Sequence, residues 1–282
     1  MERRKTLQEL TIKDNFMFGA VMMDEDICKE LLELILGFKI SSVTVSREKS
    51  IVYRPEYKGI RLDVIAADED RTHYNVEMQV RYKRNLGKRS RYYHSQIDME
   101  MLQAGLEYDL LPDSYVIFIC DFDPFSKKKY YYSFGNFCRE EPGLSLNDGN
   151  HTIFLSTCGE NEDEVPEGLV KFLKYVKSEL GENGDYEDDF VMRVQEAVRN
   201  VKISREMGER YMLLEEFVKE EREEAKAEGK AEMLLEFLAD LGEVPEELRE
   251  KIESETNGNV LQTYLKKASK AESMDEFLDM IR

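Results

Sequence analysis

Asp63, Glu77 and Gln79 have the side-chain types and the spacing of a metal-binding site. Asp63 lies in a run that alternates polar and apolar residues, and Glu77 and Gln79 lie two apart in the next such run. This alternation predicts two β-strands, at 61–67 and 73–80, joined by a short polar turn. Side chains two apart on a strand point the same way, so antiparallel pairing would bring Asp63 beside Glu77. Two carboxylates that converge in this way suit Mg²⁺ or a similar divalent ion.

The same alternation is also compatible with a hairpin that has no chemistry. Strands at the surface of a protein commonly place their polar residues in water and their apolar residues in the core. The three polar positions would then be a solvated face. The spacing alone does not separate these two interpretations.

Five segments, in this order, match one known family. They are IKDNFMFGAVM (12–22), RLDVIAADED (61–70), YNVEMQ (74–79), RYYHSQIDMEML (91–102) and SYVIFICDFDPF (114–125). The chain thereby resembles the Rpn family of recombination-promoting nucleases and transposases, a branch of the PD-(D/E)xK nuclease superfamily. A single D…ExQ pattern would be a weak signal, whereas five ordered segments over most of the first 160 residues are a strong one.

The resemblance implies both a fold and an activity. The fold is α/β, a restriction-endonuclease-like PD-(D/E)xK core in which helices flank a mixed sheet. The activity is metal-dependent endonucleolytic cleavage of DNA, the hydrolysis of phosphodiester bonds, connected with recombination or transposition. Asp63 and Glu77, with the backbone carbonyl of Met78, would hold the ion, which we expect to be Mg²⁺, with Mn²⁺ or Ca²⁺ as alternatives. Nucleases of this class often draw a further acid from their first core helix, where Glu30 and Glu33 are the candidates.

Gln79 is a departure from the superfamily signature, which usually has lysine at this position. Lysine carries a positive charge near the attacking water, whereas glutamine can hydrogen-bond that water but is uncharged and cannot act as a base. The Rpn branch itself tends to show glutamine here, so the departure does not by itself imply an inactive site. We expect Arg81, which parity places on the same strand face, or Lys83 after a turn, to supply the missing charge.

The net charge of −19 is unevenly distributed along the chain. Residues 1–150 hold 22 basic and 25 acidic side chains, and residues 151–282 hold 18 and 34. Such a balance argues against a general nucleic-acid-binding surface. However, residues 81–91 carry six basic side chains and no acidic one, namely Arg81, Lys83, Arg84, Lys88, Arg89 and Arg91. Beside paired carboxylates this run predicts a site for the phosphate backbone of double-stranded DNA, although it could also be an ordinary solvated face, and nothing in the sequence separates DNA from RNA.

Capping residues and periodicity predict the elements around the hairpin. Asp14 can cap a helix through Met22, and Asp24 can cap a second helix that runs to Leu36 and ends at Gly37. The other predicted elements are a strand or strand pair at 41–53, a helix at 88–111, strands at 115–122, 129–137 and 151–158, and helices at 166–180, 187–227, 230–241, 245–254, 258–270 and 273–281.

Residues 181–188, rich in glycine and acids, form the predicted linker between two regions. The first is the nuclease-like domain at 5–180, and the second is an acidic all-helical C-terminal region at 185–282. Strong helix formers fill 220–233, between apolar faces that suit helix pairing between subunits. We therefore expect an oligomerisation or regulatory element, with a single amphipathic helix that packs on its own domain as the alternative.

Composition argues against several other classes of protein. No apolar run reaches the length of a membrane span, and the N-terminus lacks the apolar stretch of a signal peptide. The four cysteines lie far apart without a CxxC pair, which favours reduced thiols over a disulfide framework or a zinc site. We expect a cytoplasmic protein without a membrane partner.

A second interpretation comes from a different functional class. The chain would be a catalytically silent nuclease-like module that binds DNA or a protein partner and assembles through its helical tail. The presence of both Asp63 and Glu77 favours the enzyme over this module.

Overall fold

The computed structural model describes residues 5–51, 60–69, 71–102 and 104–281. Within these ranges the side chains of 47–51 and 60–63 are not described, so the carboxylate of Asp63 lies outside the described residues. The last two residues of the strand predicted at 41–53 also lie outside them.

The described residues form one mixed sheet of six strands. The strands are β1 (Val43–Ile51), β2 (Ile60–Asp68), β3 (His73–Gln79), β4 (Ser114–Cys120), β5 (Tyr131–Phe134) and β6 (Asn150–Ser156). Their spatial order is β1-β2-β3-β4-β6-β5, with β3, β4 and β6 parallel and the other pairs antiparallel. Parallel neighbours require a crossover, and between β3 and β4 a helix makes it.

In the described chain, two helices precede the sheet, one lies between β3 and β4, and the remaining helices follow β6. In chain order they are α1 (Asn15–Met22), α2 (Glu25–Leu36), α3 (Leu86–Met101), α4 (Glu167–Lys177), α5 (Asp189–Ile203), α6 (Arg205–Leu241), α7 (Glu246–Glu253), α8 (Gly258–Ala268) and α9 (Met274–Ile281). Short 3₁₀ turns occur at Leu7–Glu9, Tyr108–Leu110 and Glu162–Glu164. Helices flanking a mixed sheet are the α/β architecture that the sequence predicted. Along the described chain, no helix combines the length and the apolar character that a membrane span requires.

Both α1 and α2 begin directly after a predicted capping residue, but the two residues behave differently. The Asp24 carboxylate accepts hydrogen bonds from the backbone N–H groups of Asp26 and Ile27, both at 3.1 Å. Gly37 ends α2 in the left-handed conformation, with φ of 77°. Asp14 stands at the N-cap position of α1, but its carboxylate accepts from the Thr11 N–H at 2.8 Å instead of from the helix.

Two predicted helix boundaries were wrong. The helix expected at 88–111 begins at Leu86 and ends at Met101, after which Leu102 is extended and Gly105 takes a φ of 89°. The helices expected at 187–227 and 230–241 instead divide at Ser204, which is extended, and α6 continues through Gly229. A glycine inside a helix costs only about 1 kcal/mol relative to alanine, and the strong helix formers around it outweigh that cost.

The chain divides into two compact units, Met1–Arg205 and Glu206–Arg282. This division comes later than the predicted linker at 181–188, because α5 packs against α1, α2 and α4 within the first unit. In the second unit the core consists of apolar side chains from α6–α9, including Leu234 and Leu238, which are fully buried.

Candidate active site

The polar residues of β3 are buried. Asn75, Glu77 and Gln79 are 0%, 2% and 8% exposed. On one side, β4 pairs with β3 in parallel register, with Phe118 opposite Glu77, and α3 packs on β4. The solvated-face interpretation is therefore wrong for Glu77 and Gln79.

Asp63 lies on the strand next to Glu77. The pairs between β2 and β3 run from Ala67–His73 to Val64–Val76. Asp63 precedes Val64 and Glu77 follows Val76. Because the strands are antiparallel, the pair that continues this register is Asp63 with Glu77. The antiparallel pairing expected of the hairpin is present as far as Val64. The Asp63 side chain lies outside the described residues.

Arg89 joins the polar residues of β3 to α3. Its guanidinium donates from Nη2 to Glu77 Oε2 at 3.0 Å and from Nη1 to Gln79 Oε1 at 2.9 Å. The same group donates to the hydroxyl of Tyr93, from Nη2 at 2.6 Å and from Nε at 3.2 Å. Arg89 and Tyr93 are four residues apart and so share one face of the helix. Arg89 was predicted to bind DNA phosphate, but in the structure it is committed to Glu77 and Gln79.

The ion pair with Arg89 offsets the free-energy cost of burying the Glu77 carboxylate. A buried carboxylate is strongly destabilising unless it is paired and hydrogen-bonded. The Arg89 guanidinium also lies over the rings of Tyr93 and Phe118, 5.3 and 5.6 Å from their centroids. Cys120 lies opposite Gln79, and burial raises the pKa of its thiol to about 12 although the Arg89 charge opposes that shift. Cys120 is therefore a neutral thiol at this site.

Oxygen atoms suited to a hard cation are present beside Glu77. The Asn75 amide donates to Glu77 Oε1 at 3.4 Å, and its own Oδ1 is buried with no hydrogen-bond partner in the described part of the chain. Leaving a buried acceptor unpaired costs about 1–3 kcal/mol. The Met78 carbonyl accepts from Gln79 Nε2 at 3.1 Å. The described residues contain no group of three His, Cys, Asp or Glu side chains that could hold a metal, and the Asp63 carboxylate is not among those residues.

Glu30 and Glu33 on α2 have other partners. Glu30 pairs with Arg193 of α5. Glu33 accepts from Lys39 at 2.6 Å and from the Ile40 N–H at 3.0 Å. Burial raises the pKa of Glu33, but these two hydrogen bonds outweigh it and hold that pKa below its usual range. Both carboxylates contribute to contacts of α2.

The basic run is exposed, apart from Arg89. β3 ends at Gln79, so the expectation that Arg81 lies on the strand face was wrong. Exposed side chains from the segment before α3 and from its first turns present the charge, namely Arg81, Lys83, Arg84, Lys88 and Arg91. Tyr82, which is 60% exposed, lies among them with its ring edge-on to Phe122 at 5.5 Å between centroids.

Sequence reasoning assigned no role in the site to Asn75 or Tyr93. Asn75 lies two residues before Glu77, so the alternation that placed Glu77 and Gln79 on one face places Asn75 there as well. Tyr93 follows Arg89 by four residues on a predicted helix, which is the spacing of a side-chain pair. The contact from Arg89 back to β3 has no such local signal, because it depends on how the crossover helix packs.

A family model described as PD-(D/E)XK nuclease family transposase matches residues 15–179, more than half of the chain. The matched range includes all six strands and α1–α4, and with them Glu77, Gln79 and Arg89. No curated protein and no solved structure matches the chain significantly. The family and the fold agree with the resemblance drawn from the five ordered segments. The chain belongs to the PD-(D/E)XK nuclease family transposases.

Proposed function

We propose that this chain is a metal-dependent DNA endonuclease that hydrolyses phosphodiester bonds in recombination or transposition. Its family gives it a nuclease-like role. The observation that carries the more specific proposal is the buried arrangement of Glu77, Gln79 and Arg89 at the end of β3, directly before an exposed basic segment. A buried carboxylate is costly to maintain, and this one lies where a phosphate backbone would arrive.

Asp63, Glu77 and the Met78 carbonyl would hold the divalent ion, which is Mg²⁺ or else Mn²⁺ or Ca²⁺. The unpartnered Oδ1 of Asn75 is a further candidate ligand, because amide and carboxylate oxygens are the atoms these ions prefer. The bound ion would polarise a phosphodiester oxygen and lower the pKa of a coordinated water for in-line attack.

Arg89 takes the electrostatic role that lysine has in the superfamily signature. Its guanidinium contacts Gln79 at 2.9 Å and carries the positive charge that Gln79 lacks. A fixed cation in a site with little water stabilises the negative charge that develops on the phosphate. Arg89 therefore replaces Arg81 and Lys83 as the proposed source of this charge. Gln79, held by Arg89, orients the attacking water through its amide.

The exposed basic side chains next to this site would bind the DNA backbone. Arg81, Lys83 and Arg84 follow the end of β3, and Lys88 and Arg91 extend the charge along α3. A track of this kind contacts phosphates of double-stranded DNA without reading the sequence.

Incubation of the full chain with supercoiled plasmid and Mg²⁺, Mn²⁺ or Ca²⁺ tests the proposal. We expect nicking or linearisation that requires the ion and is abolished by Asp63→Ala. The matched control is Asp163→Ala, an exposed acidic residue of the same unit, which should cut as the wild type does. Absence of ion-dependent cleavage in the wild type would contradict the proposal, and a parallel incubation with RNA checks the substrate class.

One observation favours a second candidate, a catalytically silent nuclease-like module that binds DNA or a protein. Arg89 already compensates the charge of Glu77, so the buried pair is stable without an ion. Such a module would bind DNA equally well with EDTA or with Mg²⁺, would not cleave it, and would gain no thermal stability from Mg²⁺. An endonuclease would gain stability from the ion because only its native state binds it.

We further propose that the chain forms homo-oligomers through its C-terminal helices. Leu213 and Phe217 of α6 are 66% and 50% exposed, unlike the buried Leu234 and Leu238 of the same helix. Light scattering should report more than one subunit for the wild type and a monomer for the double variant Leu213→Glu, Phe217→Glu.

The cysteines at 28, 120, 138 and 158 are all free, in keeping with a cytoplasmic location.

A further inference from the structure

A cavity of about 320 Å³ lies outside the Glu77 site, between α3 and the strands β5 and β6. One wall is the face of α3 from Gly87 to Asp98, and the other consists of Phe134–Asn136 with Asn150 and Thr152. None of the residues proposed above to hold the ion lines this cavity. Its volume is within the range of small-molecule sites.

The hydrogen bonds behind this cavity have one consistent direction. The carboxylate of Asp148 can only accept, so Asn150 turns its Nδ2 toward Asp148, at 3.3 Å, and its Oδ1 toward Ser114. Ser114 donates to that Oδ1 at 3.2 Å, and its oxygen lies 2.7 Å from His94 Nδ1. His94 Nδ1 therefore carries a proton, which it donates to Ser114.

The row of hydrogen bonds continues from the other nitrogen of the His94 ring, Nε2, to residues that line the cavity. In a neutral ring Nε2 can only accept, so Thr152 donates to it at 3.0 Å, and Ser90 in turn donates to Thr152 at 2.6 Å. Burial lowers the pKa of His94 to about 4, which agrees with the neutral form. Because each member has its partner, this wall is preformed and has no need of a ligand to complete it.

Two charged side chains on the cavity's α3 face are not engaged in this way. No hydrogen bond or ion pair from the described residues reaches the carboxylate of Asp98 or the guanidinium of Arg91. Burial raises the pKa of Asp98, so its carboxylate is partly desolvated without a compensating donor. The two residues are seven apart, which places them on one side of α3 about 10 Å apart along its axis.

An aromatic ring completes the set. Phe134 lines the cavity with 46% of its surface exposed, and its contacts with Phe125 and Phe154 hold the ring. A held, exposed ring is a stacking surface for a planar group. The cavity therefore offers an anionic acceptor, a planar apolar surface and a cation.

We propose that this cavity binds a guanine nucleotide, with the base edge on Asp98, the base plane on Phe134 and the phosphate at Arg91. A carboxylate presents two acceptors side by side, and the guanine edge presents two adjacent donors, N1–H and the 2-amino group. Adenine and cytosine place an acceptor beside their donor, so they pair less well with a carboxylate. As a means of reading DNA this site rests on the proposed nuclease function, whereas the binding of a free nucleotide does not.

Calorimetric titration of the full chain in EDTA with dGMP, dAMP, dCMP, dTMP and dIMP tests the proposal. We expect dGMP to bind tightest and dIMP, which lacks the 2-amino group, to bind more weakly. Asp98→Asn should weaken dGMP roughly tenfold or more and abolish the preference. The matched control is Asp109→Asn, an exposed position outside the cavity, which should leave dGMP binding unchanged. Equal affinity for all five nucleotides, or equal effects of the two variants, would overturn the proposal.

A second variant keeps the test independent of the folding of Asp98→Asn. Arg91→Gln should weaken dGMP but not deoxyguanosine, which has no phosphate, and equal loss for both ligands would overturn the assignment of Arg91. Binding of short single-stranded oligonucleotides with and without one guanine then shows whether the cavity takes a nucleotide within DNA or a free nucleotide. A preference for the guanine-containing strand identifies a nucleotide within DNA, and a preference shown only by dGMP identifies a free nucleotide. Because no ion is present, failure of plasmid cleavage does not affect these outcomes.

Discussion

The two compact units of this chain bury different kinds of residue. In the described part of the first unit, ten polar or charged residues are buried, among them Glu77, Gln79 and His94. In the described part of the second unit, Tyr211 is the only buried residue that is not Ala, Leu, Ile or Phe. Burying a polar group costs free energy unless it is fully paired. The first unit thus buries several polar groups around its candidate site, whereas the described core of the second unit is almost entirely apolar.

The largest expected effect comes from breaking the buried ion pair of the first unit. Glu77→Ala leaves the Arg89 guanidinium without its anion and should lower the free energy of unfolding by about 3–5 kcal/mol. A carboxylate on the solvated face that the sequence left open as an interpretation would have a much smaller effect. Urea unfolding followed by circular dichroism measures the effect. Glu220→Ala on the exposed face of α6 is the control, and should change stability by no more than about 0.5 kcal/mol.

The corresponding change in the second unit is purely apolar. Leu234→Ala opens a cavity in the core of α6–α9 and should cost about 2–5 kcal/mol. Hydrogen exchange should become faster in peptides from α6–α9 and remain unchanged in β3 and α3. Faster exchange in β3 would contradict the expectation that the effect of this substitution is confined to the second unit.

Acid should affect the first unit through His94. Burial lowers the pKa of this residue to about 4, from 6.5 in an unfolded chain, so the unfolded chain binds a proton that the native state excludes. The free energy of unfolding should therefore fall by about 2–3 kcal/mol as the pH decreases from 6.5 to 4. His94→Gln should flatten this dependence, measured as the difference from the wild type in urea unfolding. All three histidines belong to the first unit. A similar loss of stability of the second unit between pH 6.5 and 4 would therefore contradict the difference drawn between the two units.

The smallest expected effect concerns the exposed charges. Arg84→Ala with Lys88→Ala should weaken the binding of all DNA sequences about equally and lower the log–log salt slope by about one unit for each lost phosphate contact. Lys219→Ala with Lys226→Ala, two exposed positions on α6, is the matched control in the acidic unit. An unchanged salt slope in the Arg84→Ala, Lys88→Ala variant would show that these two residues do not contact DNA phosphates.

Local signals predicted much of this fold. The Asp24 cap, the Gly37 stop and the apolar run of β4 each depend on residues within one element, and all three are in the structure. The alternation of polar and apolar residues predicted two strands that could pair antiparallel, and β2 and β3 pair in this way.

What sequence reasoning missed depends on packing between distant elements. The burial of Glu77 and Gln79 results from the β4 strand and the α3 helix, which follow them in the chain. Arg89 was interpreted as part of a charge run because nothing local shows that its guanidinium turns back to β3. The amphipathic pattern of α5 shows that one face is buried but not against which partner. Sequence reasoning therefore placed α5 in the C-terminal region, whereas in the structure it packs against α1, α2 and α4.

The parallel pairing of β3 with β4 has a kinetic consequence. These strands cannot pair until the chain between them has folded back, so their contacts are non-local and form slowly. We expect the Glu77–Arg89 ion pair to be absent from the transition state for folding, because its burial requires both the helix and β4. Replacing Arg89 should then accelerate unfolding and leave the folding rate nearly unchanged, as stopped-flow measurements would show. The candidate site would be the part of the first unit that assembles last and opens first.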